Sequence, residues 1–215
     1  MPGGTRVERP QGPNTCHREA TIPKRPLDTL ASMPLPLLVN FIGGSEGPWR
    51  VTSQKAVTGP DLPTVPFVRV VEGRVLARPP AGWALQGVTS NERYVERAER
   101  VALSDRQEPL GRPDAACAAL IPITKSPAWW DLTQDDRRAI LETRSRHIAI
   151  GLEYLPAIAR RLHHGRDIRA EFDFLTWFEF PPEATEEFED LVGRLRATEE
   201  WSYVEREVDI RLARQ

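Results

Sequence analysis

The chain has 215 residues, 29 Lys and Arg against 31 Asp and Glu for a formal net charge of -2, and a hydrophobic content of 40%. That content supports one sizeable core or two small packed halves, and the near-balanced charge gives no broad electropositive surface for nucleic acid. No apolar run reaches the roughly 18 residues of a membrane span, and Cys16 and Cys117 lack the spacing of a disulfide framework or a zinc site.

Residues 1–33 contain Pro2, Pro10, Pro13, Pro23 and Pro26 and almost no periodic apolar pattern. They read as a disordered tail, with Met33 as an alternative true start. The apolar stretch Leu35 to Gly43, interrupted by Pro36, is too short and too far from the N-terminus for a signal peptide. Free thiols and a cytoplasmic location are therefore expected.

Residues 34–115 read as a shortened, mostly β first half. Leu37 to Ile42, Trp49 to Ser53, Phe67 to Val71 and Trp83 to Val88 are short runs rich in Val, Ile and aromatics, separated by Gly and Pro punctuation. Residues 116–215 form the second half, opened by the apolar run Ala115 to Ile123.

Thr133, three residues before Asp136, predicts a helix start, and Arg137 to Ile150 has helical composition without Gly or Pro. Ala139, Thr143 and His147 then share a face, with the histidine near the helix end. After Pro156, Ala157 to His164 alternates as a strand, with Ile158, Arg160, Leu162 and His164 on one side. Phe172 to Phe180 reads as its partner strand. Phe188, Leu191, Val192 and Leu195 define a helix over 184–197, and Trp201 to Leu212 reads as a final strand in which Val204, Val208, Ile210 and Leu212 share a parity. The order helix, strand, strand, helix, strand predicts an α+β chain of ferredoxin-like type: an antiparallel sheet with helices on one face.

His17 lies in the tail, which leaves His147, His163 and His164 as candidate ligands; each could equally be a satisfied core or surface residue. His163 and His164 are adjacent on a strand and point to opposite faces, against a shared metal. Ile42-Gly-Gly-Ser-Glu-Gly leads into a strand, so its glycines read as a turn and not as a phosphate loop. Lys125 beside Trp129 and Trp130 could be a core anchor next to a surface lysine.

Five segments carry more: Lys125-Ser-Pro-Ala-Trp-Trp, Arg146-His147-Ile, Tyr154-Leu-Pro-Ala-Ile-Ala-Arg-Arg-Leu-His-His-Gly-Arg-Asp, Phe172-Asp-Phe-Leu-Thr-Trp-Phe-Glu and Glu200-Trp-Ser-Tyr-Val-Glu-Arg-Glu. In this order, over about Trp83 to Arg211, the sequence resembles the chlorite dismutases, and the shortened first half resembles their small, dimeric branch. The resemblance implies a homodimeric α+β barrel of two ferredoxin-like halves, with haem b in the C-terminal half. It makes His147 the proximal iron ligand, Glu200 (or neighbouring Glu199) the carboxylate behind it and Lys125 the lysine of that network. Arg160 becomes the distal arginine that handles chlorite. Trp130 and Tyr94 fall near the haem edge and propionates, and Thr176 and Phe178 on the distal side. The implied reaction turns chlorite into chloride and dioxygen through a ferryl species and retained hypochlorite. A coprohaem decarboxylase, from which the distal arginine is characteristically absent, and a non-catalytic haem-binding or sensing protein are the alternatives.

Overall fold

The computed structural model describes residues 3–4, 37–74, 82–89 and 93–215. The chain divides into Met1–Pro34 and Leu35–Gln215, and the fold is that of the second unit. The readings of residues 1–33, with Cys16 and His17, lie outside the described residues.

Eight strands carry the fold: β1 (Leu38–Gly44), β2 (Trp49–Thr58), β3 (Phe67–Glu72), β4 (Trp83–Val88), β5 (Cys117–Lys125), β6 (Ala159–His164), β7 (Phe174–Phe180) and β8 (Val204–Arg214). All pair antiparallel, in the order β1-β3-β2-β8-β5-β7-β6-β4, and β4 returns to β1 to close a barrel. In the second half, β5 and β6 are joined through α2 (Pro127–Asp131), α3 (Gln134–Arg138) and α4 (His147–Glu153), and β7 and β8 through α5 (Thr185–Arg196). The spatial order β8-β5-β7-β6 is that of a ferredoxin-like unit. The order β2-β3-β1-β4 repeats it, with only residues 45–48 between β1 and β2. The expected α+β, ferredoxin-like class is the observed one.

Strand alternation builds two cores. Phe41, Leu120, Leu175, Trp177, Val208 and Ile210 fill the barrel. Ala119, Ile121, Ile158 and Phe178 face outward and are covered by Phe188, Leu191, Val192 and Leu195 of α5. The Phe180 and Phe188 rings stack there at 4.5 Å.

Three expectations about elements need correction. The helix read over Arg137 to Ile150 is broken: α3 passes into a wide helical turn over Ala139–Arg144, Arg146 takes a left-handed conformation at φ 53, and α4 starts anew at His147. The histidine therefore opens a helix instead of closing one. Strand starts also move: β6 starts at Ala159, not Ala157, β7 at Phe174, not Phe172, and β8 at Val204, not Trp201. A helix, α1 (Arg97–Arg106), stands within the half read as mostly β; it buries none of its residues, so no apolar stripe announced it. Among the described residues no helix is long and apolar enough to cross a membrane.

Candidate functional site

The break before α4 is held by specific bonds. The Glu142 carboxylate accepts the backbone N–H groups of Ile148 at 2.6 Å and Ala149 at 3.2 Å, satisfying donors that a helix start leaves free. His147 Nδ1 then lies 2.6 Å from Glu200 Oε2. The other oxygen, Oε1, accepts from Lys125 Nζ at 2.9 Å, and the same ammonium donates to the Glu200 carbonyl at 3.1 Å. Glu200 is held in turn by its backbone N–H, which donates to Ser145 Oγ at 2.9 Å. Lys125 and Glu200 are both buried, at 4% exposure each.

Burial alone would push the Glu200 carboxyl up. The charge and hydrogen bond of His147, and then those of Lys125, outweigh this and hold it at about 2. An ionised carboxylate only accepts, so Nδ1 of His147 donates to it and Nε2 is the ring nitrogen turned to the other side. Nε2 has no hydrogen-bond partner among the described residues, and the side chain is 32% exposed. Trp201 stacks beside the imidazole at 6.5 Å. The Lys125 ammonium sits over the rings of Trp129 and Trp201, at 4.8 and 5.4 Å.

A second branch leaves the same lysine. The Lys125 backbone N–H donates to Asp173 Oδ2 at 2.8 Å, and Trp130 Nε1 donates to that oxygen at 3.2 Å. Trp130 stacks on Phe174 and carries the guanidinium of Arg166 3.8 Å from its ring centre. Arg137 donates to the Trp130 carbonyl at 2.9 Å and to the Tyr94 hydroxyl at 3.0 Å. Tyr94, Trp130, Lys125, Glu200 and His147 are thus joined in one hydrogen-bonded chain.

Arg160 stands apart from that chain, on β6. It pairs in register with Phe178, and Leu162 pairs with Thr176, so these four share one face of the sheet. His147 and Gly151, four residues apart, share one face of α4. The Arg160 guanidinium lies directly against Gly151, so that helix face is turned toward Arg160. Desolvation lowers the Arg160 pKa to about 10, which leaves it protonated at neutral pH. Among the described residues Arg160 has no hydrogen bond, ion pair or ring contact.

A family model described as chlorite dismutase matches residues 74–215. The chain belongs to the chlorite dismutase family. A dimeric chlorite dismutase from Nitrobacter winogradskyi is 57% identical, over 82% of this chain and 99% of that one, with a TM-score of 0.77. Chlorite dismutase from Candidatus Nitrospira defluvii, solved in complex with imidazole, is 20% identical, over 82% of this chain and 91% of that one, with a TM-score of 0.59; that likeness is one of fold. Comparison with curated proteins finds no match.

Within this chlorite dismutase chain, Glu199 is the residue that does not reach the histidine; its carboxylate pairs with Arg144 at 3.4 Å instead. Several contributors escaped the sequence reading, Arg137 and Arg166 beside Trp130 among them. Asp173, Ser145 and Glu142 orient the residues named above, and Gly151 meets Arg160. Asp173 left a trace, as one acid inside the aromatic run Phe172-Asp-Phe174. Ser145 and Glu142 left none, since both read as ordinary polar positions of a continuous helix.

Proposed function

We propose that this chain binds haem b through His147 Nε2 and converts chlorite to chloride and dioxygen. The donor set fits such a group. It offers one imidazole whose Nε2 has no partner among the described residues, fixed from behind by a buried carboxylate, which suits a metal that brings its own ring of ligands. Among the described residues no three His, Cys, Asp or Glu are grouped to hold an ion by themselves.

Bound haem, held by His147, would supply the redox-active iron for the overall change of ClO2− to Cl− and O2. Glu200 fixes the His147 tautomer and makes the imidazole a stronger donor. Lys125 keeps Glu200 ionised in a buried site. Arg160, a permanent cation on a sheet face shared with Phe178, would attract chlorite and hold the departing hypochlorite anion close. Trp130 and Tyr94, with Arg137 and Arg166 beside them, would receive the propionates. Thr176 and Phe178 would line the wall around the anion. The working form is a cytoplasmic homodimer in this reading, supported by the dimeric state of the 57% identical relative.

The observation that carries the proposal is the connected set His147, Glu200 and Lys125 with a free Nε2, on a helix face turned toward a lone arginine. Haemin titration tests it. The chain should bind one equivalent with a sharp Soret band, and His147→Ala should shift or lose that band. An identical band and affinity in the variant would remove His147 as the ligand.

A further inference from the structure

The outward face of β8 holds two carboxylates that the proposed chemistry does not use. Glu207 and Asp209, two residues apart and so on one side of the strand, are 0% and 1% exposed. Arg196, the last residue of α5, bridges them: Nε and Nη2 donate to Glu207 Oε1 at 2.9 and 2.6 Å, and Nη2 to Asp209 Oδ2 at 2.7 Å. Arg211 also holds Asp209, with Nη2 at 2.9 Å from Oδ2. The two carboxylates differ in what else they hold. Glu207 Oε2 accepts Trp201 Nε1 at 2.7 Å, whereas Asp209 bonds only to the two arginines among the described residues.

Trp201 lies next to Glu200 in the short helical turn Glu199–Tyr203. Its ring and that of Trp129 stand 5.4 and 4.8 Å from the Lys125 ammonium, whose hydrogen bonds among the described residues all go to Glu200. Indole faces attract a cation without competing for the carboxylate. They also exclude water, and the attraction between ammonium and carboxylate is stronger where water is excluded.

We propose that Glu207, neutralised by Arg196, is a positioning residue that anchors the Trp201 indole as the cover of the Lys125–Glu200 pair. One carboxylate oxygen is spent on the arginine of α5 and the other on aiming the ring. The end of α5 thereby acts on the imidazole through Trp201 and Glu200. That last consequence rests on the reading of His147 as the haem ligand; the anchoring does not.

The test uses variants of the full chain, first without haem. The rate at which acetic anhydride modifies Lys125, followed by peptide mass spectrometry against an added lysine peptide, should rise several-fold in Glu207→Gln and in Trp201→Phe. Asp209→Asn, which disturbs the same arginines without touching the indole, should keep the wild-type rate. Glu207→Gln made on Trp201→Phe should add nothing. Wild-type rates in the first two variants, or an equal rise in Asp209→Asn, would overturn the proposal, because the cover would then not depend on this bond. Trp201→Phe, which keeps a ring and the whole Arg196–Glu207 pair, decides the matter should Glu207→Gln not fold. After loading, the ferric–ferrous midpoint potential should rise in Glu207→Gln and Trp201→Phe and stay in Asp209→Asn, since water at Glu200 weakens its bond to His147 and the imidazole becomes a poorer donor. An unmoved potential with Lys125 uncovered would overturn the link to the imidazole. Failure of the loaded wild-type chain to release oxygen from chlorite would count against the parent reading alone, since the labelling result does not depend on it.

Discussion

Nδ1 of His147 and Oε2 of Glu200 stand 2.6 Å apart, and the carboxylate between that imidazole and the Lys125 ammonium is almost wholly buried. A carboxylate in such a place is stable only while both neighbours remain, so its removal has consequences beyond one lost hydrogen bond.

Glu200→Ala and Lys125→Ala should each destabilise the chain by about 3–5 kcal/mol, because each strands an uncompensated buried charge. The double variant should lose less than the sum of the two, since it strands neither. Urea unfolding of the four proteins measures this, and strictly additive losses would show that the two groups are not coupled.

Acid should weaken the fold before the carboxylates titrate. Burial pushes His163 and His164 down to about 4, from an ordinary histidine value of 6.5. Between pH 6.5 and 4 the unfolded chain binds protons that the folded chain refuses, so stability falls as pH falls across that window and levels off below it. Glu200 has the depressed carboxylate pattern: its contribution is full above about 4.5 and is lost as pH falls toward 2. His163 accounts for part of the first window, so His163→Gln should flatten the dependence of unfolding free energy on pH between 6.5 and 4. An unchanged slope would mean that His163 is protonated in the folded chain.

Arg160→Ala should leave haem bound and lower chlorite turnover by about a hundredfold, the scale seen when a preorganised charge stabiliser is removed. It should also release hypochlorite, detectable with a chlorinatable dye. Arg160→Lys should fall between the two, keeping the charge and losing the planar fork. Unchanged turnover without leakage would sink the role given to this residue.

Much of the second half could be read locally. Val208, Ile210 and Leu212 are buried on β8 with the expected parity, and Phe188, Leu191, Val192 and Leu195 form the buried stripe of α5. Both patterns arise because one face of each element packs against a single core. The barrel was less legible, since its closure depends on pairings such as Leu38 with Val88 and Val88 with His164, which no local period encodes. The break at Arg146 was hidden because no periodic pattern marks the Glu142 carboxylate that caps α4, and because Ser145 is engaged by the backbone of Glu200, 55 residues away. The roles of His147, Glu200, Lys125 and Arg160 came from resemblance to the family, as periodicity alone leaves each a core or surface residue. The structure joins the first three and sets Arg160 on a separate strand.

The most direct test is oxygen release followed with a Clark electrode when chlorite is mixed with the haem-loaded chain. Rapid dioxygen evolution, one molecule for each chlorite consumed, is the expected result; full haem loading with no oxygen evolved would contradict the assignment.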